Sequence, residues 1–281
     1  MTGLMQLTFH KMHGLGNDFV LLDCLQEAFS LTAEQIRFVA DRRFGVGCDQ
    51  VLVIEHSVTP GVAASYRIFN QDGSAAEHCG NGVRCVAKYL NERLDGNPEK
   101  IKVEIASHPY ELLIEDSGAV RVDMGSPIFE PARIPSMFPR RQTAYDLTVG
   151  DDTFSVGAVS MGNPHVVFPV DKPQKFPVEE IGQALQEHEC FPKQVNAGFM
   201  NIERRDSISL RVWERGAGET LACGTGACAA VVVGRLWERL DDSVEVHLTG
   251  GNLRIEWSGN ENDSVWMTGE ATYVFEGKIS I

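Results

Sequence analysis

The 281-residue sequence has no run of five or more basic residues, and its 25 Lys plus Arg are outweighed by 39 Asp plus Glu, leaving a net charge of −14. Such a surface repels phosphate backbones and anionic headgroups, so neither nucleic acid nor a membrane is expected as a partner. No stretch of about 18 apolar residues occurs, which excludes a spanning helix of ordinary length. The opening residues, MTGLMQLTFHKMHG, lack the long apolar core and small-residue cleavage site of a secretory leader, so a cytoplasmic location is expected. Low-complexity segments are absent. So are Cys-x-x-Cys pairs and paired histidines, and with them the usual zinc spacings; no metal is expected.

What is present is ordinary for a folded chain. Hydrophobic residues make up 43% and charged residues 23%, at a length that accommodates two domains, each able to bury a core. The seven cysteines are Cys24, Cys48, Cys79, Cys85, Cys190, Cys223 and Cys228. An odd number in a large chain argues against a disulfide framework and for mostly buried thiols.

Hydrophobic periodicity predicts strands over 5–11, 18–24, 50–55, 65–70, 101–106, 110–115 and 119–124, and again over 144–149, 153–159, 164–170, 197–204, 207–213, 243–248, 252–257, 264–268 and 271–276. One helix is predicted from Thr32, with Gln35 in capping-box position, to near Gly45. A second follows Cys79 (VRCVAKYLNERL), a third covers 178–188, and a fourth follows Cys223 (GACAAVVVGRLWERL). A Pro-rich passage, 126–139, separates the halves.

Two phrases then stand out: EHCGNGVRC at 77–85 and LACGTGACA at 221–229. Each sets a cysteine before Gly-x-Gly and an apolar helix. Cys79 and Cys223 lie about half the chain apart, so the repeat is a domain rather than a short solenoid unit. A helix start presents unpaired N–H groups and the positive end of the dipole, both of which favour a thiolate. The glycines let a carboxylate approach the amides of Gly80 and Asn81, and of Gly224 and Thr225. Each motif therefore combines a potential base with a carboxylate cradle, and two facing thiols suit removal of a proton from one side of a carbon and delivery to the other.

Residue chemistry alone leaves three readings of the pair: an acid–base couple, a redox dithiol, or two small residues packed at helix starts. Cys85 and Cys228, inside their helices, read as core, and Cys24, Cys48 and Cys190 as non-catalytic. Neither motif supplies a lysine, so a Schiff-base cofactor is not called for.

HGLGNDF (13–19), FGVGCDQ (44–50), FNQDGSAAEHCGNGVRC (69–85), GNPH (162–165), VNAGF (195–199) and WERGAGETLACGTGAC (213–228), in this order and spacing, resemble the diaminopimelate epimerase family. The resemblance implies an α+β fold of two similar pseudo-symmetric domains, each a curved mixed or antiparallel sheet wrapped around a central helix. It places one domain over 1–124 plus 269–281 with Cys79, the other over 125–268 with Cys223, and the active site in the cleft between them.

It further implies an isomerase that interconverts LL- and meso-2,6-diaminopimelate without a cofactor, for lysine and peptidoglycan precursor synthesis, as a homodimer. The catalytic cysteines match Cys79 and Cys223. Substrate-binding positions match Asn17, Gln50, Asn70, Gly80, Asn81, Asn163, Asn196, Glu214, Arg215, Gly224 and Thr225, and positions that adjust cysteine ionisation match His165 and Glu214. Two departures from the family pattern are His78, next to Cys79, and Phe275, where a tyrosine associated with dimerisation is common.

Overall fold

The computed structural model describes residues 5–27, 29–76, 80–94, 96, 98–105 and 108–281. Two compact units emerge, residues 1–122 with 269–281, and residues 123–268.

The first unit contains β1 (Gln6–Gly14), β2 (Asn17–Asp23), α1 (Ala33–Ala40), β3 (Gln50–Glu55), β4 (Ala64–Asn70), β5 (Ala75–Ala76), α2 (Gly80–Asn91), β6 (Lys100–Ile105), β7 (His108–Ile114) and β8 (Val120–Asp123). The second opens with β9 (Tyr145–Val149) and continues through β10 (Asp152–Ser160), β11 (Pro164–Pro169), α3 (Val178–Gln186), β12 (Asn196–Arg204), β13 (Ser207–Glu214), β14 (Gly218–Thr220), α4 (Gly224–Leu236), β15 (Ser243–Leu248), β16 (Gly251–Glu256) and β17 (Trp266–Gly269). The last strand, β18 (Thr272–Ser280), returns to the first unit and pairs antiparallel with β1.

Strand pairing repeats step for step. β1–β2 and β10–β11 are antiparallel, β2–β3 and β11–β12 parallel, β3–β4 and β12–β13 antiparallel, and β4–β6 and β13–β15 parallel. Even the added edge partner recurs, β18 on β1 and β9 on β10. The internal duplication read from the two Cys-Gly phrases therefore extends to sheet topology.

Within each unit the sheet encloses the motif helix: α2 packs on β1, β2, β3, β6, β7 and β18, and α4 on β10, β11, β12, β13 and β16. Residues Gly224 to Gly234 of α4 are all buried. Val231, Val232 and Val233 are poor helix formers by a few tenths of a kcal/mol each, but burying each side chain contributes about 1.5–3 kcal/mol, so tertiary packing decides the conformation. Packing is close: a Cβ on Gly157 of β10 would lie 2.3 Å from Val233 Cγ1.

Three local differences from the sequence expectation have physical causes. Helix α1 has the expected capping box, with Gln35 N–H donating to Thr32 Oγ1, but stops at Ala40 rather than near Gly45. Asp41 ends it, because its Oδ1 accepts from the N–H groups of Arg43 (2.7 Å) and Phe44 (2.8 Å), offering the backbone an alternative to the helical ladder. Strands β5 and β14, of two and three residues, are too short for any periodicity and exist through pairing with β4 and β13. The single helical turns Pro131–Arg133 and Pro173–Lys175 also lack a sequence pattern beyond their leading proline.

Candidate active site

Cys79 and His78 lie outside the described residues, so the first motif is described from Gly80 onward. Gly80 and Asn81 form the first turn of α2, and both are buried. Asn81 Nδ2 donates to Asn17 Oδ1 (3.3 Å), and Asn17 Nδ2 to Asp49 Oδ2 (3.0 Å). Asn17 opens β2 directly after Gly16, whose φ of 86° only glycine adopts without strain. Gln50 and Asn70 pair across β3 and β4, with Gln50 Nε2 donating to Asn70 Oδ1 (3.0 Å). The first unit thus gathers Asn17 with Asn81, and Gln50 with Asn70.

The second motif is described completely. Cys223 caps α4 in an extended conformation, its Sγ accepting from Gly226 N–H at 3.4 Å, and only 4% of the residue is exposed. Gly224 is the first helical residue, and Thr225 Oγ1 lies 3.6 Å from the sulfur. Glu214 ends β13, hydrogen-bonds the Cys223 thiol and accepts from Thr220 Oγ1.

Ionisation here is set by burial. The Cys223 thiol is held well above the usual thiol range, first by desolvation and then by the Glu214 carboxylate, against the pull of the Thr225 and Gly226 donors. Burial also raises Glu214. A helix start favours a thiolate, but at Cys223 burial and the Glu214 carboxylate outweigh it and hold the group as a thiol.

His165 is fully buried and pushed down to about 3, by desolvation and then by the charge of Arg215, so it is neutral. Its Nε2 lies 2.9 Å from Asn163 Oδ1, and Asn163 Nδ2 donates to Thr225 Oγ1 at 3.3 Å. Because the amide turns its oxygen to the ring, the ring proton sits on Nε2. A hydrogen-bonded path therefore leads from His165 through Asn163 and Thr225 to the sulfur. Gly162, before Asn163, has φ of 87°, matching Gly16 before Asn17.

Asn196, 3% exposed, opens β12 and braces the segment: its Nδ2 donates to Pro164 O (2.9 Å) and its Oδ1 accepts from Arg215 N–H (2.9 Å). Arg215 follows the end of β13, which frees it from strict alternation with Glu214, and its Nη1 donates to Lys193 O at 3.3 Å. Sequence reasoning missed Asp49 and Arg84. Arg84 is fully buried in α2 and donates to Asn81 Oδ1 (2.8 Å); the available signal was an arginine three residues past Asn81, on the same helix face. Among the other described cysteines, Cys24, Cys48, Cys85 and Cys228 are buried and Cys190 is partly buried. Burial pushes Cys48 up to about 12, which leaves it an inert thiol.

The family model for diaminopimelate epimerase matches residues 9–130 and 157–274. The chain is 50% identical over 278 residues to a diaminopimelate epimerase of Thioalkalivibrio sulfidiphilus, covering 99% of this chain and 100% of that one. It is 52% identical over 275 residues to the diaminopimelate epimerase of Halorhodospira halophila, covering 98% and 96%.

Among solved structures, the fold resembles a hydroxyproline epimerase from Agrobacterium vitis, with a TM-score of 0.68 at 12% identity over 98% of this chain and 93% of that one. A PhzF-family phenazine biosynthesis protein of Bacillus anthracis gives a TM-score of 0.66 at 16% identity over 99% and 100%. Those distant likenesses establish the two-domain, pseudo-symmetric fold class. The chain belongs to the diaminopimelate epimerase family and is an isomerase.

Proposed function

We propose that this isomerase interconverts LL- and meso-2,6-diaminopimelate with Cys79 and Cys223 as its two bases and with no cofactor. In this reading one cysteine, as a thiolate, removes the α-proton from one face, while the other, as a thiol, donates a proton to the opposite face; the roles exchange in the reverse direction. The observation that carries the reading is the setting of Cys223: buried at the start of α4, with its Sγ accepting from Gly226 N–H and lying 3.6 Å from Thr225 Oγ1. A protonated Cys223 leaves Cys79 as the thiolate, the partner that by family resemblance acts on the LL isomer. One turnover in the LL direction leaves the abstracted proton on Cys79 and the thiolate on Cys223, which is the state that acts on the meso isomer.

The α-proton is far less acidic than a thiol of pKa about 8.5, so the sulfur alone is too weak a base. Stabilisation of the developing charge falls to the N–H groups at the starts of α2 and α4, acting on the substrate carboxylate in surroundings dry enough to keep them strong. Asn17, Gln50, Asn70, Asn163, Asn196, Glu214 and Arg215 supply the amides and charges that read the distal amino-acid end. A carboxylate there matches the guanidinium of Arg215.

We place the reaction in the cytoplasm, feeding lysine and peptidoglycan precursor synthesis, with a homodimer as the active form and neither nucleic acid nor a membrane as a partner. Phe275 and Val274, each about half exposed on β18 at 48% and 51%, support a second copy as the cover for that strand. No helix among the described residues is long and apolar enough to cross a membrane.

The test is proton NMR of meso-diaminopimelate in deuterium oxide with catalytic amounts of reduced protein and no added cofactor, beside a parallel sample of proline. Loss of the α-proton signal with appearance of the LL isomer is expected, with proline untouched. Folded, reduced protein that leaves the signal intact removes the substrate assignment.

A further inference from the structure

The first motif is backed by a chain of hydrogen bonds with a fixed direction. Asp49 Oδ2 accepts from Asn17 Nδ2 (3.0 Å), Asn17 Oδ1 from Asn81 Nδ2 (3.3 Å), and Asn81 Oδ1 from Arg84 Nη2 (2.8 Å). An ionised carboxylate only accepts and a guanidinium only donates. Both ends therefore dictate one arrangement, in which each amide turns its nitrogen toward Asp49 and its oxygen toward Arg84.

The ends are themselves anchored. Arg84 also donates from Nη1 to Gly80 O (3.2 Å) and from Nε to Glu270 O (3.3 Å), which ties the first turn of α2 to the segment before β18. Asp49 accepts from Asp18 N–H (3.1 Å) and from Arg42 Nη2 (2.8 Å), and its own N–H donates to Asp18 Oδ1 (3.0 Å).

The repeated unit treats the matching place differently. Counting from each motif cysteine, Thr225 stands where Asn81 does and Cys228 where Arg84 does; in the loop before β12, Val195 stands where Asp49 does. The loop-to-helix hydrogen bond survives but runs the other way, from Asn163 Nδ2 to Thr225 Oγ1. Charged ends are thus a feature of the first unit and not a demand of the fold.

We propose that Asp49 and Arg84 are positioning residues for the epimerisation: from opposite ends of this chain they fix the amide polarity of Asn17 and Asn81, so that substrate meets donors and acceptors of predetermined sense. The proposal rests on the diaminopimelate epimerase reading and on the substrate-binding roles that reading gives the two asparagines.

The experiment is a double-mutant cycle in the full chain with Asp49→Asn, Arg84→Lys and their combination, assayed by steady-state kinetics on diaminopimelate with thermal melts as the folding control. The Asp49→Asn change can present N–H where only an acceptor stood, and Arg84→Lys keeps the charge while losing the fork. Each single change is expected to raise KM about tenfold with kcat within about threefold, and the double variant to be no worse than the more impaired single one, because both break the same chain. Unmoved KM in folded single variants overturns the proposal, as do effects that multiply in the double variant or fall on kcat alone. Should Arg84→Lys not fold, Asp49→Asn decides by itself: raised KM supports the chain, and unchanged KM removes it. Inactive wild-type protein would instead remove the underlying functional reading, so the two failures are distinguishable.

Discussion

The two units share one order of strand pairings, yet several of the polar groups around their motif helices differ at matching places. Parallel pairing sets Phe19 beside Gln50 in one unit and His165 beside Asn196 in the other. Antiparallel pairing sets Asn70 opposite Gln50, and the same step beyond the Ala197–Trp213 pair brings Glu214 to Asn196. An apolar ring thus answers a buried imidazole, and an amide answers a carboxylate. The shared part is what the fold needs, namely sheet pairing, a buried helix and a left-handed glycine before each loop asparagine. The divergent part carries charge, and under the two-base reading it separates a thiol that is kept protonated from a partner that is not.

The largest effect that would break this comparison comes from Glu214. Glu214→Gln removes the negative charge that helps to hold Cys223 as a thiol, so kcat is expected to fall about 100-fold. The same loss of negative charge lowers the Cys223 pKa, so the midpoint of its alkylation by iodoacetamide should move to lower pH. An unchanged midpoint would mean that Glu214 does not set this thiol.

Packing of α4 supplies the next test. Gly157→Ala brings a methyl group 2.3 Å from Val233 Cγ1 and is expected to cost about 1–3 kcal/mol in urea unfolding. A neutral result would mean that the helix is not held as tightly as the geometry indicates.

His165 sharpens the comparison through pH. Its folded pKa of about 3 lies below the ordinary value of 6.5, so between the two the unfolded chain binds a proton that the fold refuses, and stability falls as pH drops below about 6.5. His165→Gln removes that contribution. The stability gap between wild type and variant should therefore shift by about 2 kcal/mol in the variant's favour between pH 7 and pH 5. Parallel curves would show that His165 takes up its proton while folded.

The smallest expected effect distinguishes α1 from α3. Thr32→Ala removes the capping box and should cost about 1 kcal/mol, whereas α3 starts at Pro177 with no side-chain cap to lose. Equal sensitivity of the two helix starts would contradict the assignment.

Much of this architecture was legible in the sequence because it rests on local rules. A compact apolar run at Gln50–Glu55 and alternation at Ser243–Leu248 give strands, and Thr32 with Gln35 gives a helix start. The all-round apolar character of GACAAVVVG gives a buried helix. The repeated Cys-Gly phrase located the two motif helices for the same reason. Features that depend on distant partners were not legible: β5 and β14 exist only through pairing, and α1 ends where the Asp41 side chain captures the backbone. Asp49 takes its meaning from Asn17, and the Arg84–Asn81 pair from the same asparagine, which is distant from all three in sequence, so no spacing announces its approach. That a helix start favours a thiolate is visible in sequence, whereas the burial of Cys223 and the Glu214 charge, which hold its thiol protonated, are not.

The central claim is that chemistry is divided between two cysteines, one from each repeat. It is tested most directly by following α-proton exchange and epimer formation from meso-diaminopimelate in deuterium oxide for wild type, Cys79→Ala and Cys223→Ala under reducing conditions. The account predicts epimerisation by wild type and none by either variant, with all three folded. Appreciable epimer formation by either variant would contradict it.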